Sequence, residues 1–190
     1  KIFTYKGNDL TVQAAETFIN NYFLKDPRGV GGKNILILGS GNIGTKLGIK
    51  LVESGAGVFL YRRKIKILKN IITTINNIIP KGTKAKAKMI KSLKLSLIKF
   101  HIIIGATNGK SILTTNHVKS FKSDVLMIDI GKGIFKKEAL ELALSKNINL
   151  YRLDVTPAYN AYLENISTTK KIYNLNLNKS QTYGKLKLVK

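Results

Sequence analysis

The six residues GSGNIG at positions 39–44 constrain this chain more than any other feature. They follow an apolar run, NILIL, and open a segment whose apolar residues have helical spacing. A G-x-G-x-x-G pattern at a strand-to-helix junction is typical of dinucleotide binding, because its glycines permit the turn, admit a pyrophosphate and let helix and strand pack closely. The free N–H groups at the helix start would face the phosphates. The alternative is a Gly-rich turn without a ligand. The predicted contacts are Gly39, Ser40, Gly41, Asn42, Ile43 and Gly44.

Strands, turns and helices then alternate along the chain. The apolar runs LILG, HIII and VLMIDI are nearly continuous, as expected of strands that helices cover on both faces. Alternating strands and helices of this length predict an α/β fold with a doubly wound parallel sheet, the Rossmann arrangement. The predicted strands are residues 34–38, 58–61, 83–89, 101–105, 125–129 and 149–153. The predicted helices are residues 43–54, 64–78, 91–99, 115–120 and 136–146.

The two ends of the chain extend this pattern. From Asp9 onwards the apolar residues are spaced as in a helix, with Asp9 as its expected N-cap. After Val155 the alternation stops, and the sequence predicts one further helix and then a polar, Lys-rich tail that ends frayed. We therefore divide the chain into an N-terminal linking helix (1–30), a dinucleotide-binding domain (31–155) and a C-terminal helix with a basic tail (156–190).

The end of the second predicted strand bears on the choice of cofactor. A domain that takes NAD usually has an Asp or Glu there for the ribose hydroxyls. This chain has Tyr61 at that point, followed by Arg62 and Arg63, although only four arginines occur in the whole sequence. An arginine pairs with a 2′-phosphate and stacks on adenine, whereas a carboxylate repels that phosphate. The sequence therefore favours NADP over NAD.

The stretch GATNGKS at 105–111 resembles a Walker A phosphate loop. A Walker A loop has four residues between its two glycines, whereas this stretch has three, so an NTPase is disfavoured. In a doubly wound sheet, the loop after the fourth strand lines the crevice at the topological switch point. We expect the turn after the fifth strand to lie near the nicotinamide in the same way. These two loops contribute Ala106, Thr107, Asn108 and Gly131 to the predicted site.

Composition narrows the class of protein. There is no Cys, and the two His are sixteen residues apart, so no metal site is expected. No apolar run approaches the roughly 18 residues that span a bilayer, and the first ten residues lack the features of a secretory signal, so we expect a cytoplasmic protein without a membrane partner. The net charge of +23, with no acid between Glu53 and Asp124, would attract nucleic acid. Nucleic acid is nevertheless disfavoured as a partner, because the lysines are not interleaved with aromatic residues as base stacking requires.

Three stretches, GGKNILILGSGNIG, FHIIIGATNG and HVKSFKSDVLMIDIGKG, resemble the NADP-binding domain of the amino-acid-dehydrogenase-like superfamily, which includes shikimate dehydrogenase and methylenetetrahydrofolate dehydrogenase. They are also similar to the cofactor domain of S-adenosylhomocysteine hydrolase. The resemblance covers about residues 9–155 and implies an NAD(P)-binding Rossmann domain. In the two dehydrogenases a catalytic domain precedes the cofactor domain and a long helix links them, so the resemblance implies the same arrangement here. Its motifs are specific to a cofactor domain and leave the substrate open.

Candidate acid/base residues are few. Hydride transfer to or from a nicotinamide needs a proton donor or acceptor beside the reacting carbon. Asp129 ends the fifth predicted strand, Lys132 follows it, and His117 lies after the fourth. For Asp129 the alternative is to accept backbone hydrogen bonds, and for His117 it is to cap a helix. The sequence favours these structural roles for Asp129 and His117, and Lys132 could bind an anionic substrate.

We therefore expect the NADP(H)-binding domain of an oxidoreductase, a dehydrogenase or reductase that acts on a small molecule. The chain begins at Lys1 rather than Met, which is consistent with substrate groups supplied by a missing N-terminal domain or by a partner subunit. Two alternatives stay open: a dinucleotide-binding sensor or scaffold without chemistry, and a basic nucleic-acid-binding protein on the same fold. A homo-oligomer is compatible with all three.

Overall fold

The computed structural model of the chain describes residues 5–93, 99–109, 111–131, 133–176, 181–183 and 186–188. Two compact units follow each other in sequence, Lys1–Asp154 and Val155–Lys190. The strands of the first unit are β1 (Asn34–Leu38), β2 (Gly57–Tyr61), β3 (Ala87–Ile90), β4 (Ile102–Gly105), β5 (Leu126–Asp129) and β6 (Asn149–Arg152). Its helices are α1 (Gly7–Tyr22), α2 (Asn42–Glu53), α3 (Ile65–Ile78), α4 (Thr115–Lys119) and α5 (Lys137–Ser145). The second unit contains α6 (Thr156–Asn176), β7 (Gln181–Tyr183) and β8 (Leu186–Leu188).

The strands of the first unit form one parallel six-stranded sheet in the order β3-β2-β1-β4-β5-β6. The chain winds outward from β1 to β3, crosses back to β4 beside β1, and winds outward again to β6. The register places Leu38, the last residue of β1, beside Gly105, the last residue of β4. The change of direction between these strands opens a crevice at their carboxyl ends. The predicted doubly wound α/β fold is confirmed.

Two apolar clusters cover the two faces of the sheet. Alternate residues of β1 enter different clusters: Ile35 and Ile37 lie in the first, and Leu36 and Leu38 in the second. Helices α1, α2 and α3 contribute to the first cluster, whereas α4 and α5 contribute to the second. All four of these side chains are fully buried. Burial on both faces explains why the β1 sequence is continuously apolar instead of alternating.

Helix α1 packs along α2 through apolar residues of the first cluster, and two ion pairs also join the helices. Asp9 pairs with Lys46, and Glu16 Oε2 lies 2.7 Å from Lys50 Nζ. The hydrogen bond from Lys46 lowers the pKa of Asp9. The expectation that Asp9 caps the helix is wrong, because the N-cap residue is Lys6. Asp9 lies inside the first turn, where a carboxylate stabilises the helix through its dipole.

The prediction of a helix over residues 91–99 is wrong for its first part. Residues 91–93 are not helical, and residues 94–98 lie outside the described residues. The leucines at 93, 95 and 97 are spaced two apart, which is the period of a strand rather than of a helix. Leu93 is instead buried with Phe100 in the second cluster.

Strand β3 begins at Ala87 rather than at residue 83. The Thr83 N–H donates to the Pro80 carbonyl at 3.2 Å, so the chain after α3 first makes a turn. Asn76 of α3 then positions the start of the strand. Its side-chain oxygen accepts the Ala87 N–H at 2.8 Å, and its side-chain amide donates to the Ala87 carbonyl at 3.0 Å.

The second unit contains the predicted C-terminal helix, α6, which has 21 residues. The expectation of a frayed tail is wrong for residues 181–183 and 186–188, because β7 and β8 pair antiparallel with Thr182 beside Lys187. Thr and Tyr before a glycine, and leucines alternating with lysine after it, favour a hairpin. Neither α6 nor any other helix in the described part of the chain is long and apolar enough to cross a bilayer.

Candidate functional site

A cleft of about 570 Å³ lies at the carboxyl ends of β1 and β4. Its walls come from four places: the start of α1, the start of α2, and the turns after β4 and β5. None of its described lining residues is charged, although the chain has 33 Lys and Arg residues. The lining residues are Asn8, Gly41, Asn42, Ile43, Ala106, Thr107, Asn108, Ile130 and Gly131.

The first and third glycines of GSGNIG hold the turn after β1 in place. Gly39 has a φ of +108°, which L side chains rarely adopt, and a Cβ there would stand 2.5 Å from the Ala106 carbonyl oxygen. Its N–H donates to the Tyr61 carbonyl at 3.0 Å, which ties the turn to the end of β2. A Cβ on Gly44 would come well within 3.0 Å of the Gly39 carbonyl oxygen. These two glycines therefore permit the close packing of β1, α2 and the β4 turn.

The second glycine of the motif, Gly41, faces open space. A Cβ built on it would meet no atom within 4 Å, and its φ of −83° and ψ of −160° are extended backbone angles. The first bond of α2 runs from the Thr45 N–H to the Gly41 carbonyl at 2.9 Å, so the three N–H groups between these residues have no acceptor within the helix. The first turn of α2 contains no acidic residue. Free N–H groups beside an open glycine fit the pyrophosphate of a dinucleotide.

Arg62 makes a contact that the sequence did not predict. Its Nη1 donates to the Ser40 carbonyl at 2.6 Å, so the guanidinium reaches from the end of β2 to the Gly-rich turn. Ser40 is only 1% exposed, and its Oγ has no hydrogen-bond partner among the described residues. Arg63 is exposed. Because a guanidinium has five N–H donors, Arg62 can brace the turn and still present donors to a phosphate.

The turns after β4 and β5 form the other wall and are bonded to each other. The Gly109 N–H donates to the Gly131 carbonyl at 3.3 Å, and Ser111 Oγ donates to the Gly133 carbonyl at 3.0 Å. Gly131 lies so close to the Thr107 carbonyl that a Cβ would not fit between them. A displacement of either turn therefore moves the other.

The structure brings about half of the predicted cofactor-binding residues to the cleft and places most of the others around the Gly-rich turn. Those that line the cleft are Gly41, Asn42, Ile43, Ala106, Thr107, Asn108 and Gly131. Those that form or support the turn are Gly39, Ser40, Gly44, Tyr61 and Arg62, whereas Arg63 follows β2 as an exposed residue.

Two lining residues, Asn8 and Ile130, were not predicted. Ile130 directly follows β5, so the rule that strand ends line the crevice would have included it. No local motif marks Asn8. It reaches the cleft because α1 packs on α2 through apolar residues and ion pairs that are far apart in sequence.

The catalytic candidates occupy different places. Asp129 Oδ2 accepts the Gly133 N–H at 2.7 Å, so this residue accepts backbone hydrogen bonds, the structural role that the sequence also offered. His117 completes a capping box with Thr114 at the start of α4, so it caps a helix, the structural role that the sequence also offered. Neither residue is part of the described cleft lining. Lys132 lies outside the described residues.

The His117 ring is expected to make the stability of the fold depend on pH. Its Nδ1 accepts the Thr114 N–H at 3.0 Å, and burial lowers its pKa below the usual 6.5, against an opposing hydrogen bond with the Leu93 backbone. The unfolded chain therefore takes up the proton more readily, and we expect the free energy of unfolding to fall as the pH drops through about 6.5. His117→Gln should flatten this decline, because glutamine completes a capping box without titrating.

Urea unfolding of the parent and of His117→Gln between about pH 7.5 and 5.5 measures this effect. His101 is present in both proteins, so the difference between the two pH profiles isolates His117. If the variant loses as much stability on acidification as the parent, the assignment is wrong.

Between Glu53 and Asp124, lysines of the described residues lie over a pair of aromatic rings, Phe59 and Phe100, and Lys99 Nζ is 5.3 Å from the Phe100 centroid. Lys88 and Lys99 place their Nζ atoms 5.7 and 4.7 Å from the centroid of the Phe59 ring. That ring packs edge-on against Phe100, with centroids 5.2 Å apart, as part of the second apolar cluster. Because Phe59 is partly buried and packs against the core, these lysines cover the edge of the core rather than flank a stacking platform for bases.

A model of the shikimate / quinate 5-dehydrogenase family matches residues 25–154. Among curated proteins, a glutamyl-tRNA reductase from Thermosipho melanesiensis is 24% identical over 179 residues, which are 92% of this chain and 46% of that protein. Among solved structures, a dipicolinate synthase from Bacillus halodurans has a TM-score of 0.60 at 16% identity, over 86% of this chain and 56% of that one. A shikimate dehydrogenase in complex with NADP+ has a TM-score of 0.54 at 17% identity, over 75% of this chain and 50% of that one.

The family match covers the whole parallel sheet, from β1 to β6. It confirms the resemblance to the NAD(P)-binding domain of this superfamily. The two structural similarities, at such low identity, show the fold alone. The chain spans about half the length of these proteins.

Proposed function

This chain belongs to the shikimate / quinate 5-dehydrogenase family, and on that premise we propose that it is the NADP(H)-binding domain of an oxidoreductase acting on a small molecule. The observation that carries the proposal is the open space beside Gly41. There the free N–H groups at the start of α2 lie at the cleft, at the switch point of the sheet. A nicotinamide dinucleotide held there would supply the hydride donor or acceptor. We assign dinucleotide binding to residues 31–155 and a linking role to residues 1–30.

We further infer that the groups that act on the substrate come from an upstream domain or a partner subunit. Hydride transfer needs a proton donor or acceptor beside the reacting carbon, and no described lining residue has a titratable side chain. The matches cover only about half of the similar proteins, which leaves room for such a domain. The neutral lining also favours a second candidate, a dinucleotide-binding sensor or scaffold without chemistry. Both candidates bind NADPH, and only hydride transfer to a substrate separates them.

The proposed preference for NADP depends on the end of β2. Arg62 and Arg63 follow the strand, and no acidic residue occurs between Glu53 and Asp124. Arg62 already reaches the Gly-rich turn, beside which the adenosine ribose of a bound dinucleotide would lie. A charge-assisted hydrogen bond to the 2′-phosphate would contribute about 1.5–3 kcal/mol, or roughly 10- to 150-fold in affinity.

Arg63→Ala is expected to weaken NADPH binding by that factor and NADH binding much less, because only NADPH carries the 2′-phosphate to which the exposed Arg63 would donate. Arg62→Ala should weaken both cofactors, since the Ser40 carbonyl also loses its donor. Calorimetric titration of each protein with each cofactor measures the dissociation constants. Lys69→Ala removes one exposed charge from α3 and serves as the control. Equal affinity for NADPH in all of these proteins would contradict the arginine assignment.

A further inference from the structure

Asp129, the last residue of β5, folds the chain back into the turn that follows it. Its Oδ2 accepts the N–H groups of Gly133 at 2.7 Å and of Ile134 at 3.3 Å. Gly133 takes a φ of +90° to meet this carboxylate. The turn carries Ile130 and Gly131 into the lining of the cleft. The N–H groups of Ile130 and Gly131 also donate to the Gly105 carbonyl, at 2.8 and 3.0 Å, so the backbone holds the near end of the turn. The carboxylate holds its far end, at Gly133 and Ile134, and in this way limits how this part of the wall can move.

The other oxygen of this carboxylate does not stabilise the fold in the way that Oδ2 does. Asp129 Oδ1 is buried and has no hydrogen-bond partner among the residues that the structure describes. An unpaired, buried polar oxygen destabilises a fold, and the penalty is larger when the group is charged. Asparagine has nearly the same shape and would accept the Gly133 N–H through its carbonyl oxygen. What aspartate adds is a charge-assisted bond, which holds the turn more tightly.

The turn lies on the side of the cleft where the nicotinamide would bind. In a dinucleotide-binding sheet the adenosine ribose lies at the end of β2, and the pyrophosphate lies at the start of α2. The strand order puts β4 and β5 on the opposite side of β1 from β2. The half of the dinucleotide beyond the pyrophosphate would then lie against the turns after β4 and β5, and Gly131 belongs to this wall.

We propose that Asp129 is a positioning residue, which places Ile130 and Gly131 against the nicotinamide half of NADP(H) and has no part in binding the adenosine half. This inference rests on the proposed function. The carboxylate acts through the turn and does not touch the cofactor, since Asp129 is not among the lining residues. The bonds between the β4 and β5 turns extend its effect to Thr107, which Gly131 contacts.

The test compares NADPH with 2′,5′-ADP, a fragment that has the adenosine half with its 2′-phosphate but no nicotinamide. The proteins are the parent, Asp129→Asn and Asp129→Ala, titrated by calorimetry. We expect Asp129→Ala to weaken NADPH binding about tenfold or more and Asp129→Asn to weaken it less, with 2′,5′-ADP binding within about twofold of the parent. Asp124→Asn changes the exposed carboxylate that precedes β5, so it is the matched control and should alter neither constant.

Three outcomes are decisive. Loss of NADPH affinity with unchanged affinity for the fragment supports the inference, because a merely structural role would lower both. If both variants bind NADPH as the parent does, or lose both ligands equally, the inference is wrong while the proposed function stands. A parent chain that binds neither ligand would contradict both. Thermal unfolding reports whether each variant is folded, and Asp129→Asn, which keeps the shape of the side chain, decides the matter if Asp129→Ala does not fold.

Discussion

Gly41→Ala is expected to weaken NADPH binding roughly 100-fold while the protein keeps its fold. The new methyl group would project into the open space beside residue 41, where the pyrophosphate has to approach the backbone. Displacing the pyrophosphate breaks one or two charge-assisted hydrogen bonds at the start of α2, each contributing about 1.5–3 kcal/mol. Alanine adopts the extended angles of Gly41 without strain. As an N-cap it is poorer than glycine, which lowers the free energy of unfolding by about 1 kcal/mol or less.

Calorimetry and urea unfolding on the same preparation separate these two effects. Gly48→Ala is the matched control, because Gly48 lies on α2 away from the described cleft lining and a Cβ there would be in ordinary contact, 3.7 Å from Leu60. It should bind NADPH as the parent does. A Gly41→Ala protein with parental affinity would show that no phosphate approaches the backbone at this glycine.

Gly44→Ala is expected to lower the free energy of unfolding by about 3 kcal/mol, the upper part of the range for overpacking. Its Cβ would overlap the Gly39 carbonyl oxygen, which belongs to the backbone and cannot move without displacing the turn after β1. Gly48→Ala in the same helix should instead stabilise the protein by about 0.5–1 kcal/mol, because alanine is a better helix former and fits the available space.

Urea unfolding followed by far-ultraviolet circular dichroism measures both values. The comparison holds the helix and the chemical change constant and varies only the space around the Cβ. Equal stability of Gly44→Ala and Gly48→Ala would mean that α2 does not pack on the turn as closely as the structure places it.

The strands of the sheet could be predicted because their sequences are compatible with few other structures. Strand β1 has the predicted bounds, since a continuously apolar run between turn residues has to be buried on both faces. Residues 91–93 and the C-terminal hairpin could not be predicted in the same way. Their leucines are spaced two apart among lysines, which favours a strand over a helix, but in runs with so few apolar residues the tertiary or hairpin contacts decide the final structure.

The candidate site shows the same division between local and long-range information. The turns after β1, β4 and β5 could be predicted, because parallel strands end at one edge of a sheet. Asn8 could not, since only the packing of α1 on α2 brings it to the cleft. The bond from Arg62 to the Ser40 carbonyl depends on side-chain direction, which no motif encodes. For Asp129 the sequence offered two roles, and only the geometry of the following turn distinguishes them.

Calorimetric titration of the unmodified chain with NADPH and, separately, with NADH at moderate salt tests most directly whether the cleft between β1 and β4 binds NADP(H). We expect a single site at which NADPH binds at least about tenfold more tightly than NADH, as one charge-assisted bond to the 2′-phosphate requires. Equal affinities would contradict the role of Arg62 and Arg63 while leaving the cleft as a dinucleotide site. Absence of binding by either cofactor would contradict the proposed function of this chain.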